Sequence, residues 1–141
     1  METLAVIPIR TEEDIIIARK MGRELAQSLH FDSIDKARIV TAVSELARNI
    51  YRYAGDGHIQ FEPLEEAWRV GLKIIAADNG PGIPDIQKAL SPGYSTSGGL
   101  GAGIPGVKTM MDEFYIESHH NEGTKITAVK WQTIKEAKRL G

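Results

Sequence analysis

The chain has no cysteine, which excludes both a disulfide framework and a thiolate metal site. It lacks any apolar run approaching the roughly 18 residues that a bilayer requires, and Met1-Glu2-Thr3-Leu4 does not open a signal-peptide pattern. An excess of one charge is missing too. Lys and Arg number 17 against 19 Asp and Glu, a formal charge of −2, which argues against a nucleic-acid binder held by bulk charge. The expectation is a cytoplasmic globular protein. At 141 residues and 42% hydrophobic content, one domain with its own core suffices.

Glycine, by contrast, is concentrated. Asp78 to Gly106 reads DNGPGIPDIQKALSPGYSTSGGLGAGIPG and holds 8 of the 14 glycines and 4 of the 6 prolines. The run Leu72-Lys73-Ile74-Ile75-Ala76-Ala77 leads into it and predicts a strand ending on the carboxylate of Asp78. Glycine at this density suits positive φ or close approach to the backbone, and amide groups freed in such a loop form concave nests for phosphate oxygens. The stretch therefore predicts a nucleotide site with a lid.

Ahead of it, Leu4 to Ile9 predicts a strand, with Pro8 favouring a sheet edge. Thr11-Glu12-Glu13-Asp14 resembles a capping box, and Ile15, Ala18, Gly22, Leu25 and Leu29 follow at helical spacing to about His30. Asp32-Ser33-Ile34-Asp35 starts a second helix with an Ile39/Val43/Leu46/Ile50 stripe, ending near Ala54-Gly55. His58 to Leu64 and Trp68 to Ala77 predict a hairpin. Beyond the glycines, Val107 to Glu113 predicts a short helix, and Phe114 to Ser118 and Thr124 to Trp131 two closing strands. The domain is placed at residues 1–131, with 132–141 a short basic tail expected to be a frayed helix. This order predicts one sheet with helices on a single face.

Glu45 and Asn49 lie four apart on the second helix, hence on one face, beside the apolar stripe. Two readings stand. Either this is a solvated face shared with Arg38, Thr41 and Arg52, or Asn49 offers a carboxamide oxygen to Mg²⁺ and Glu45 accepts a proton one turn away. Asp78 shares strand parity with Val70, Leu72, Ile74 and Ala76. It either caps the turn at Gly80 or enters the core layer, where a buried carboxylate needs donors such as the exocyclic amine of a purine. Gly101 to Gly106 spells GxGxxG, but polar loop rather than a strand precedes it, so the dinucleotide reading fails. A P-loop fails as well, because Val107 occupies the lysine position. Pro105 suits a first helical turn, so the glycines deliver an anion to a helix N-terminus. The four histidines show no metal-ligand spacing.

In order, Glu45-x-x-x-Asn49, Asp78-x-Gly80-x-Gly82, Gly99-x-Gly101-x-Gly103 and Gly123-Thr124 resemble the motifs of the GHKL family of ATP-binding domains, which have the Bergerat fold. SELARNIYRYAGDG, LKIIAADNGPGIPDI, GYSTSGGLGAGIPGVKTMMDEF and EGTKITAVKW resemble the serine/threonine switch kinases of the bacterial stressosome, over about residues 4 to 131. The resemblance implies an α+β two-layer sandwich, a mixed, mostly antiparallel sheet with helices on one face. It implies ATP and Mg²⁺, with Asn49 as metal ligand and Glu45 as catalytic base. Asp78 would meet the adenine amine with Thr124 nearby, Gly80 and Gly82 would shape the base pocket, and Gly99, Gly101 and Gly103 would close on the phosphates. Lys108 follows the lid and would meet a phosphate. The implied partners are STAS-domain proteins, an RsbS-like scaffold and an RsbR-like co-antagonist, and downstream a PP2C-type phosphatase. A sensor histidine kinase would need a helical segment carrying a phospho-accepting His, for which the chain has no room. An ATP-gated binding module of anti-sigma type is the alternative.

Overall fold

The computed structural model describes residues 5–83, 103–119 and 121–133. Strand β1 (Ala5–Ile9) leads into helices α1 (Glu12–Ser28) and α2 (Ser33–Tyr53). The hairpin β2 (Gly57–Glu65) and β3 (Arg69–Asp78) follows, then helix α3 (Gly103–Met110), and last the hairpin β4 (Glu113–His119) and β5 (Gly123–Thr133). The sheet order is β1-β2-β3-β5-β4, and every pairing is antiparallel. β5 thus inserts between β3 and β4, which run in the same direction and are joined across α3. This is the two-layer α+β arrangement the sequence predicts.

Local chemistry accounts for the boundaries. The capping box at Thr11 is formed in full: Thr11 Oγ1 accepts from the Asp14 N–H at 3.2 Å, and Asp14 Oδ2 accepts from the Thr11 N–H at 3.0 Å. Asp32 caps α2 by accepting from the Asp35 N–H at 2.8 Å. After Ala54 the chain turns through Gly55 at φ +76°, a conformation glycine adopts without cost. Pro8, which has no N–H to donate, sits on the edge strand β1.

The α2 stripe is the centre of the core: Ile39, Val43, Leu46 and Ile50 are at most 1% exposed. They pack on Ile59, Phe61, Leu72, Ile74, Ile126 and Ala128 from the sheet and on Ala18, Leu25 and Ala26 from α1. A methyl on Gly22 would lie 3.1 Å from Val43 Cγ2, so that glycine lets α1 approach α2 closely. Among the described residues no buried side-chain N or O lacks a hydrogen-bond partner.

Two boundaries differ from expectation. The third helix spans Gly103–Met110 rather than 107–113. Ile104, Val107 and Met111 bury its apolar side, and beyond Met111 the chain is taken over by β5: the Asp112 N–H donates to Val129 O at 2.9 Å, and Glu113 opens β4. At the other end β5 continues through Thr133, so Gln132 and Thr133 belong to the sheet and not to a frayed helix. Gln132 is buried and its amide donates to Leu29 O, tying β5 to the end of α1. The rest of the tail, 134–141, lies outside the described residues, as does the stretch 84–102.

Candidate nucleotide site

The α2 face that carries Glu45 is not solvated. α3 packs along α2, and Glu45 is only 6% exposed although it is charged and in mid-helix. Among the described residues two donors compensate the burial. Arg48 Nη1 donates to Glu45 Oε1 at 2.6 Å, and the backbone N–H of Gly103 donates to Oε2 at 3.1 Å. Gly103 begins α3 at φ +66°, a left-handed turn that delivers its amide to the carboxylate. Asn49 lies one turn beyond Glu45 and is half-buried. Among the described residues no hydrogen bond engages its carboxamide.

The second half of the site lies at the end of β3, between the start of β2 and the start of β5, with the close of β4 on the far side of β5. Asp78 pairs with Gly57 on one side and Thr124 on the other. It faces the helices: a methyl on Gly57 would lie 2.7 Å from Ile50 Cγ2 and 3.0 Å from Asp78 Cβ. Asp78 Oδ1 accepts from the Gly80 N–H at 2.9 Å, the local cap, while its strand parity places it on the helix-covered face. The cap reading is thus realised, with the half-buried side chain on the helix-covered face. Gly80 is held against α2, where an added methyl would meet Ala54 Cβ at 2.7 Å. Gly82, at φ +80°, passes the backbone of His119 too closely for any side chain.

Thr124 is buried, and its hydroxyl lies 3.0 Å from Ser118 Oγ across the β4–β5 ladder. Ser118 is a hub the sequence did not flag. Its Oγ accepts from the Ile83 N–H at 2.6 Å and lies 3.2 Å from Gly123 O as a donor, so it pins the start of the glycine-rich segment to the sheet. Only the strand register, Ser118 opposite Thr124, could have pointed to it. Arg48, three residues from Glu45, is a second residue that the motifs do not mark, although that spacing is legible in the sequence.

The structure therefore brings Glu45, Asn49 and Gly103 together along α2, and Asp78, Gly80, Gly82 and Thr124 together at the end of β3. Lys108 is exposed farther along α3, and no described contact joins it to either group. Gly99 and Gly101 lie outside the described residues. No set of three or more His, Cys, Asp or Glu forms a metal cage among the described residues. Asn49 holds a neutral carboxamide oxygen beside Glu45, the type of donor that a phosphate-borne Mg²⁺ would accept.

Residues 10–130 match the histidine kinase-like ATPase domain. The serine/threonine-protein kinase RsbT of Bacillus subtilis (strain 168) is 56% identical over 131 residues, 93% of this chain and 98% of that protein. The anti-sigma F factor of Clostridium novyi (strain NT) is 34% identical over 99 residues, 65% of this chain and 68% of that protein. Among solved structures, the catalytic domain of histidine kinase ThkA superposes with a TM-score of 0.53 at 18% identity, over 96% of this chain and 99% of that domain. The mycobacterial sensor histidine kinase MprB gives 0.51 at 19% identity over 87% and 95%. The structural likeness establishes the fold, and the sequence match the family: the chain belongs to the histidine kinase-like, or GHKL, ATPase family. Its enzyme class is protein serine/threonine kinase, the class of the Bacillus relative it matches nearly end to end. No helix among the described residues is long and apolar enough to cross a membrane.

Proposed function

We propose that the chain transfers the γ-phosphoryl group of ATP to a serine or threonine of STAS-domain stressosome proteins. These are an RsbS-like scaffold and an RsbR-like co-antagonist in the bacterial cytoplasm. Phosphorylation releases the kinase to activate a downstream partner such as a PP2C-type phosphatase. The observation that carries this reading is the buried Glu45 carboxylate, one turn from Asn49 and directly beneath the first amide of α3.

In this reading the substrate hydroxyl oxygen attacks the γ-phosphorus, the bond from that phosphorus to the bridging oxygen of ADP breaks, and Glu45 takes the hydroxyl proton. Asp78 and Thr124 hold the adenine end, and Gly80 and Gly82 shape the base pocket by letting the backbone pack closely on Ala54 and His119. Gly99, Gly101 and Gly103 would offer backbone amides to the phosphates, and Lys108 would meet one of them. Mg²⁺, bound with the phosphates and through the Asn49 oxygen, would offset their charge. Positioning and charge compensation dominate this chemistry, so a slow enzyme acting on a bound protein is sufficient.

The likeness to anti-sigma F factors supports a second reading, in which ATP sets affinity for a protein partner and transfer is secondary. Incubation with γ-labelled ATP and a STAS-domain scaffold protein separates the two. Label on a scaffold serine or threonine is the expected result. ATP-dependent release without label would favour the binding module.

A further inference from the structure

Arg48 stands on α2 between the two residues to which the proposed chemistry assigns roles. It reaches back one turn to Glu45 Oε1 at 2.6 Å, and its side chain is 31% exposed while that of Glu45 is 5% exposed. Such pairs on an open helix surface contribute little, because water competes for both partners. Here water is largely kept from the carboxylate, so donors from the protein must supply what solvation cannot.

The two donors differ in kind. Arg48 lies on the same helix as Glu45, so the bond to Oε1 is internal to α2 and independent of how α3 is placed. The bond to Oε2 comes from Gly103, on another element, at the junction of the glycine-rich segment with α3. A base must free one oxygen to receive a proton. Oε1 cannot be freed without breaking a charge-assisted bond within one helix, whereas Oε2 is freed by a small displacement of one backbone amide. The weaker, neutral donor sits on the oxygen that can be released.

We propose that Arg48 is a positioning residue for phosphoryl transfer. It locks Glu45 through Oε1 and presents Oε2, now covered by the Gly103 amide, as the oxygen that takes the substrate proton. This rests on the reading of Glu45 as the base. It adds a named residue to the machinery and distinguishes the two oxygens of one carboxylate. Asn49 does not substitute for Arg48, because its carboxamide lacks the charge that anchors a buried carboxylate.

The test is steady-state phosphoryl transfer from ATP to a STAS-domain scaffold protein, with wild type, Arg48→Met, Arg48→Lys, Glu45→Gln and the double variant Glu45→Gln/Arg48→Met. Methionine keeps the apolar stem and removes the charge. Arg48→Met is expected to lower kcat by about 10- to 100-fold with KM for ATP unchanged within about twofold, a share of the range general bases contribute. Arg48→Lys, which restores a charged donor, is expected to recover most of the rate. In the Glu45→Gln background Arg48→Met is expected to add less than about twofold, because no base remains to position. A raised KM with kcat intact would overturn the proposal and make Arg48 a nucleotide contact. An equal loss with or without Glu45 would overturn it too. Should Arg48→Met fail to fold, the Lys variant carries the test: full activity there supports the proposal, and a loss matching Glu45→Gln overturns it in favour of a packing role specific to arginine. If Glu45→Gln itself transfers at the wild-type rate, the assignment of Glu45 as base is what fails.

Discussion

Removing the charge of Lys130 should destabilise the domain by about 2 kcal/mol, a magnitude that follows from its surroundings. Lys130 is on the helix-facing side of β5, and its side chain is 8% exposed. Its ammonium donates to Met110 O, at the C-terminal end of α3, at 3.1 Å, and lies 3.4 Å from Asp112 Oδ1 and 3.5 Å from Asp35 Oδ1. One side chain thus joins the end of α3, the start of α2 and β5. Deleting one member of a fully buried ion pair costs about 3–5 kcal/mol because the survivor stays dry. The survivors here are 21% and 42% exposed and rehydrate, so that range is an upper bound. What remains is a charge-assisted hydrogen bond to a helix-terminal carbonyl, about 1.5–3 kcal/mol, less the gain from burying a methionine tail. For a chain of this size Lys130→Met should lower Tm by roughly 6–8 °C. Thermal unfolding followed by circular dichroism reads this directly. Asp112→Asn, at the more exposed partner, should cost under about 1 kcal/mol. A Lys130→Met protein melting at or above wild type would show that apolar packing serves equally well there and that the buried ammonium adds no net stability.

Asn49→Ala should leave the fold intact and abolish transfer to a STAS-domain protein, because Asn49 lies beside the core stripe and not in it; normal transfer by the folded variant would contradict the metal assignment. Asp78→Asn keeps an acceptor for the Gly80 N–H but loses the charge, so ATP binding by calorimetry should weaken about five- to tenfold, with ATP still preferred to GTP in wild type. Equal wild-type binding of the two nucleotides would remove adenine reading from Asp78. The Asp14 carboxylate, which accepts from the N–H groups of Arg10 and Thr11, is held below the usual carboxylate range. Its contribution to stability is therefore present above the ordinary carboxylate pKa and lost as pH falls through the lowered value. Melting curves of wild type and Asp14→Ala should differ at neutral pH and converge in strong acid; a gap that widens on acidification would reverse the sign.

The helices and hairpins were legible because their signals are local. Thr11 with Asp14, the Ile39/Val43/Leu46/Ile50 stripe and the alternation from Leu72 to Ala76 each specify one element without long-range help. The third helix starts earlier than its sequence suggests because Gly103, Pro105 and Gly106 weaken helical propensity, while burial of Ile104 and Val107 overrides it. The last two residues of β5 are not legible from sequence because Gln132 is polar and its burial depends on Leu29 O, a partner 103 residues away. The roles of Arg48 and Ser118 differ in legibility for the same reason. Arg48 is one helical turn from Glu45, but Ser118 meets Ile83 and Thr124 only once β4, β5 and the end of β3 are assembled. Glu45 sat between two readings because helical spacing places it beside the stripe, and only the packing of α3 shows which side of the boundary it occupies.

On the proposed reading, covalent transfer through Glu45, and not nucleotide binding alone, frees the chain from its scaffold. Glu45→Gln keeps the size and hydrogen-bonding reach of the side chain and removes its basicity. The loss expected for a general base is about 10²–10⁴-fold. A pull-down on immobilised STAS-domain scaffold, with and without ATP and Mg²⁺, reads the consequence: wild type should leave the scaffold when ATP is added, while Glu45→Gln should bind ATP normally and stay. A variant that leaves as readily as wild type would show that nucleotide binding alone drives release and make the chain an ATP-gated binding module.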